Sequence, residues 1–83
     1  LPLKLYTILS DENLFGADDL HDIAFRLEIG ADDVKQSDTL QEKAMLMAQR
    51  CSREGKLLGL ARVIAGERPL LASQINGWLR GEH

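Results

Sequence analysis

Residues 37–55 read Ser-Asp-Thr-Leu-Gln-Glu-Lys-Ala-Met-Leu-Met-Ala-Gln-Arg-Cys-Ser-Arg-Glu-Gly, and this stretch decides the fold class. Leu40, Ala44, Met47, Ala48 and Cys51 recur at helical spacing, so they line one stripe of a long α-helix. Ser37-Asp38-Thr39 leads into it, with Glu42 placed to close a capping box on Thr39, and Gly55 ends it.

Working outward, the same period recurs on both sides. Leu20, Ile23, Ala24 and Leu27 stand at i, i+3, i+4 and i+7, a stripe that Gly30 can terminate in a left-handed cap. Downstream, Leu57, Leu60, Ala61 and Ile64 form a third stripe that stops at Gly66. Pro69 suits the first turn of a last helix whose stripe is Leu71, Ile75, Trp78 and Leu79. At the start, Pro2 can open a helix over Leu3–Leu9. The run Leu5-Tyr6-Thr7-Ile8-Leu9 would also serve as a strand, but a lone strand has no partner in this chain, so helix is favoured. Ala31–Lys35 is too short for more than a turn or a one-turn helix. The spacing predicts an all-α fold, a compact antiparallel bundle of five to six short helices joined by connections of a few residues. The seven glycines stand singly, as helix stops, and no repeat or linker interrupts the pattern.

With 83 residues the chain is one domain, 1–83, since a second core would have too little surface to bury. At 45% hydrophobic and 28% charged it can build that core rather than remain disordered. No apolar run approaches the roughly 18 residues of a membrane span. Leu1–Leu9 is interrupted by Lys4 and lacks the small-residue cleavage pattern of a secretory signal. Cys51 is alone, so an intramolecular disulfide is impossible and a cytoplasmic setting is expected. An opening Leu-Pro in place of Met suggests a segment of a longer protein.

The net charge of −3 conceals a gradient. Residues 1–10 carry Lys4 alone; residues 11–42 carry ten acids against Arg26 and Lys35; residues 43–83 carry seven bases against three acids. The running balance is therefore +1, −8 and +4. Charge segregated in this way is what a chain with two electrostatically distinct surfaces would show.

Nothing in the chain recommends catalysis. His21 stands among Asp18, Asp19 and Asp22 with no Ser or Cys nucleophile nearby in sequence, and adjacent helical positions do not face each other. A surface histidine in an acidic helix is the expected reading. Cys51 belongs to an apolar stripe, as a buried small hydrophobe would, and His83 is terminal. The doublets Asp18-Asp19 and Asp32-Asp33 lack the alternating oxygen ligands, central Gly and closing Glu of a calcium loop. Cys-His zinc spacing and a Gly-rich phosphate turn are both missing. No metal, cofactor or small-molecule substrate is expected.

Nucleic-acid binding is the alternative. Ala61–Arg80 superficially reads as a helix-turn-helix, and the +4 of the second half favours phosphate. Yet Gly66 precedes Ile75 by nine positions with Pro69-Leu70-Leu71 between, which is wrong for that motif, and the −8 of the early helices would repel a duplex unless it faced away.

Recognition of another protein remains. At about 100° per residue, Asp18, Asp22 and Phe25 fall on the solvent side of their helix, and Asp19 adds to this acidic patch. On the long helix Leu46, Arg50 and Arg53 lie together away from the apolar stripe, with Lys56 and Arg62 near in sequence, a basic patch. Each pairs an apolar anchor with charge, and the signs are opposite. Leu46 and Phe25 would equally serve as core, and Asp22 with Arg26 forms an i,i+4 pair that neutralises part of the acidic face.

The order of these elements resembles a known family. The run Asp19-Leu20-His21-Asp22-Ile23-Ala24-Phe25-Arg26-Leu27-Glu28-Ile29 comes first. Lys43-Ala44, Met47-Ala48-Gln49-Arg50-Cys51, Arg53-Glu54-Gly55-Lys56-Leu57, Leu60 and Glu67-Arg68-Pro69 follow. Together they resemble the bacterial effector-associated domains, death-like domains of conflict and antiphage systems, over approximately Leu5 to Pro69. The resemblance implies a death-fold Greek key of six helices without enzymatic activity. It also implies an adaptor that joins an effector such as a protease, nuclease, TIR or NTPase protein to a sensor by association of like domains. The expected partner is another death-like domain, in the same or a second protein.

Overall fold

A computed structural model describes residues 2–81, and these form six helices with no strand among them. They are α1 (Pro2–Leu9), α2 (Ala17–Leu27), α3 (Ala31–Gln36), α4 (Leu40–Glu54), α5 (Leu57–Glu67) and α6 (Pro69–Gly81). The ambiguous first segment is helical, and the short Ala31 segment forms a true helix. His83 lies outside the described residues.

The apolar stripes meet in one core. Leu20, Ile23 and Ala24 of α2, Ala44, Met47 and Cys51 of α4, and Leu60, Ala61 and Ile64 of α5 are all buried there. Leu5, Ile8 and Leu9 enter from α1, and Val34 and Ile75 from α3 and α6. Burying a side chain of this size stabilises by about 1.5–3 kcal/mol before conformational entropy is counted. Leu27, Leu40, Leu57, Leu71, Trp78 and Leu79 are partly buried at its edge. Helix α1 packs on α4, α6 packs on α5, and α2 touches α3, α4 and α5, so α2 and α4 organise the bundle. The principal extents are 34 × 27 × 19 Å.

Three local expectations need correction. Gly30 does not cap α2: Glu28 does, in the left-handed conformation (φ 55°), while Gly30 (φ 82°) opens α3. Between α2 and α3 lie only residues 28–30, and turning the chain that sharply takes two left-handed residues. Gly30 also lies under the Arg50 guanidinium, where an added Cβ would sit 2.9 Å from a nitrogen. Second, Gly66 does not stop α5, which runs on through Glu67; Gly59 and Gly77 are likewise within helices rather than stops. Gly55 does end α4 in the left-handed region (φ 70°). Third, the capping box at Thr39 is displaced. Thr39 Oγ1 accepts from the Glu42 amide at 3.1 Å, but the Glu42 carboxylate accepts from the Asp38 amide at 3.3 Å instead of Thr39.

Candidate interaction surfaces

Much of the charge that is segregated in sequence meets its opposite in the fold. The Asp19 carboxylate accepts from the Gly16 amide (2.9 Å), closing the start of α2, and from the Arg68 guanidinium at 3.3 Å. Arg68 also donates from Nε to the Leu14 carbonyl (2.7 Å) and stacks over the Phe15 ring at 4.6 Å from its centroid. It thereby ties the α5–α6 junction to the loop before α2. Arg26 pairs with Asp22 at 3.1 Å along α2 and with Glu67 of α5 at 2.7 Å. Arg50 pairs with Asp33 of α3.

Two lysines do related work through backbone carbonyls. Lys43, only 6% exposed, donates from Nζ to the carbonyls of Ser37 (2.7 Å), Val34 (2.8 Å) and Lys35 (3.3 Å). Val34 and Lys35 lie in the last turn of α3 and Ser37 just past it; the Val34 oxygen also accepts from the Ser37 amide at 3.3 Å, and the ammonium adds a donor to each of the three. Lys56 donates to the carbonyls of Leu27 (2.8 Å) and Glu28 (3.5 Å), closing α2 in the same manner, and pairs with Glu54 at 3.5 Å. Of the seven bases after residue 42, Lys43, Arg50, Lys56 and Arg68 are thus engaged within the domain.

The two patches read from the sequence divide accordingly. In the acidic patch Asp18 and Asp22 are exposed and Phe25 is 73% exposed, whereas Asp19 is committed to Gly16 and Arg68. In the basic patch Leu46 is partly buried against the core and Arg50 and Lys56 serve internal ties. Arg53 and Arg62 are exposed with no ion pair among the described residues.

Sequence reasoning missed a groove between α1 and α4. It has a volume of about 640 Å³, is open to solvent, and is lined by Leu3 and Tyr6 from α1 and by Met45, Ala48, Gln49 and Arg53 from α4. Leu3 is 74% and Met45 48% exposed, so two large apolar side chains stand in water there. The signal was available: Met45 and Leu46 are both apolar and flank the stripe of α4, and the structure turns Leu46 toward the core and leaves Met45 outside. Arg53 sets a positive charge against this groove. On α2, by contrast, Phe25 stands beside a smaller cleft lined also by His21, Asp22, Ala31, Asp32 and Lys35.

The residues considered for chemistry are placed as follows. Cys51 is buried, and burial, reinforced by Glu54 and opposed by Lys56, pushes its thiol up to about 11. At neutral pH it is a thiol packed in the core. His21 is not a simple surface residue: its Nε2 is buried without a hydrogen-bond partner, and its Nδ1 lies 4.0 Å from Asp18. Among the described residues no group of three or more His, Cys, Asp or Glu side chains is placed to hold a metal ion, and no helix is long and apolar enough to cross a membrane. Comparison with protein-family models, with curated proteins and with solved structures finds no match for this chain.

Proposed function

We propose that the domain is a non-catalytic adaptor of the death-like, effector-associated kind, which joins proteins by binding further copies of itself through two unlike surfaces. The observation that carries this reading is the pairing of chemistries. One surface presents an exposed aromatic, Phe25, flanked by Asp18 and Asp22. The other presents an open apolar groove, lined by Leu3, Tyr6 and Met45, with Arg53 at its side. A projecting ring with acids beside it and an apolar recess with a base beside it are complementary in shape and sign.

The two surfaces share no helix, since one is built on α2 and α3 and the other on α1 and α4. A copy that uses its Phe25 surface on one neighbour keeps its groove free for the next. Such a heterologous contact propagates, into a ring if the rotation closes and a helical filament if it does not. An adaptor gains from that geometry, because attached effectors are brought together in numbers. A Greek-key arrangement of the six helices and a cytoplasmic setting belong to the same proposal.

Sedimentation of the wild type, Arg53→Glu, Asp22→Arg and an equimolar mixture of the two variants tests it. The wild type is expected to associate and to dissociate with added salt, because exposed charges beyond about 10 Å are screened near 0.1 M. Each variant alone should be monomeric. The mixture should regain association, at least to a one-to-one pair, because the intact Phe25 surface of the Arg53→Glu chain meets the intact groove of the Asp22→Arg chain. A wild type that stays monomeric at low salt, or association indifferent to both reversals, would sink the reading. Titration with duplex DNA at about 50 mM salt separates it from nucleic-acid binding, which must weaken steeply as salt rises.

A further inference from the structure

His21 stands where a proton has nowhere favourable to go. Its Nε2 is buried with no acceptor, at the seam where α2 meets α3. The charges around it come from three helices. Asp18 and Asp22 belong to α2, Asp32 and Lys35 to α3, and Lys43 to α4. The Lys43 ammonium cannot move away, because it holds the carbonyls of Val34, Lys35 and Ser37 at the end of α3. Asp18 offers little compensation, since its carboxylate is fully solvated and 4.0 Å distant.

Protonation would convert Nε2 into a donor with no partner and add a second positive charge to a seam already held by Lys43. The strain is relieved if α3 leaves its seat. We propose that His21 makes the α2–α3 seam a pH-sensitive joint, closed while the imidazole is neutral and opened by its protonation, which disassembles the Phe25 surface built on that seam. The effect on association rests on the adaptor reading; the joint itself does not.

Partial burial, the Lys43 charge and, more weakly, the Lys35 charge hold the His21 imidazole below its ordinary value of 6.5, against the smaller opposing pull of Asp18. The folded state therefore binds fewer protons than the unfolded one. Stability is complete above 6.5 and is lost as the pH falls from there toward the lowered folded value.

Amide exchange and imidazole NMR on the full chain carrying Arg53→Glu, which removes association from the measurement, test the joint between pH 7.5 and 5. His21 is expected to titrate below 6.5. Opening at the Val34 and Ser37 amides, corrected for intrinsic exchange, should rise on protonation. His21→Gln should abolish that rise. If His21→Gln does not fold, Lys35→Gln serves, because removing its charge should move the His21 titration upward with α3 still seated. A titration at or above 6.5, or an unchanged pH response in His21→Gln, overturns the joint. Sedimentation of the wild type at the same pH values tests the coupling. Loss of association on acidification that His21→Gln prevents supports it, and a joint that opens without altering association refutes it. A wild type that never associates defeats the adaptor reading and leaves the joint to stand on the exchange data.

Discussion

On one flank of α4, Lys43 and Arg50 reach across to α3 and are tied to its carbonyls and to Asp33. Roughly on the opposite flank, at about 100° per residue, Met45 and Gln49 face the groove shared with α1, and Arg53 closes its edge in solvent. Both flanks carry basic side chains, Lys43 and Arg50 on one and Arg53 on the other, yet one fixes a neighbouring helix and the other is left open. A buried ammonium must be surrounded by acceptors, here three carbonyls at a helix end, while an exposed guanidinium loses little by having no internal partner. Charge on this helix is therefore informative only together with depth.

The sharpest way to break the contrast is Lys43→Met. It keeps the length of the side chain and removes three hydrogen bonds to the carbonyls at the end of α3, of which Val34 keeps the Ser37 amide. Loss of about 3 kcal/mol is expected by urea denaturation, since charged hydrogen bonds contribute ~1.5–3 kcal/mol and stranded buried acceptors cost a comparable amount. A loss below about 1 kcal/mol would mean that water replaces the ammonium, and that the flanks differ less than their geometry indicates. Arg68→Ala comes next, at about 2 kcal/mol, through the Leu14 carbonyl and the Phe15 ring. The pair with Asp19 adds little because both side chains are a third or more exposed.

These two variants also mark where sequence ceases to be informative. The stripes of α2, α4 and α5 identify Leu20, Ile23, Ala44, Met47, Leu60 and Ile64 as core, because a single helix suffices to say which face is apolar. The tie from Arg68 to Asp19 spans 49 positions and that from Lys56 to Leu27 spans 29, so neither follows from any one helix. For the same reason the −8 and +4 segments suggested two charged surfaces, when four of the seven later bases, Lys43, Arg50, Lys56 and Arg68, are spent on holding α2, α3 and the α5–α6 junction in place. Projection on a single helix left both Phe25 and Leu46 open as core or surface, and the packing of the other helices exposes Phe25 and turns Leu46 inward. The groove was not legible, since Leu3 and Met45 become neighbours only when α1 packs on α4.

Glu28 provides a smaller and opposite effect. It is the one residue other than glycine with positive φ among those described, and its ties to the fold are made by its backbone. Glu28→Gly removes a left-handed penalty of roughly 1–2 kcal/mol and adds a backbone-entropy cost of roughly 0.5–1 kcal/mol, for a net gain of about 0.5 kcal/mol. A rise in the urea midpoint with an unchanged slope would confirm the net gain in stability.

Smallest in stability, and most telling for the open flank, is Arg53→Ala combined with Phe25→Ala. Both side chains are exposed, and Phe25 lies outside the core cluster, so folding should change by less than about 0.5 kcal/mol for each. Their effect on association should be far larger, at least about ten-fold for Phe25→Ala, because truncating an aromatic anchor that fills a recess removes most of the contact it makes. Lys43→Met reverses this order, damaging folding first and association only as a consequence. If instead Phe25→Ala proves as destabilising as a core truncation, the ring is part of the folded unit and the groove on α1 and α4 requires a different occupant. Stability and association measured on the same three variants therefore determine whether the two flanks of α4 differ in function or only in solvent exposure.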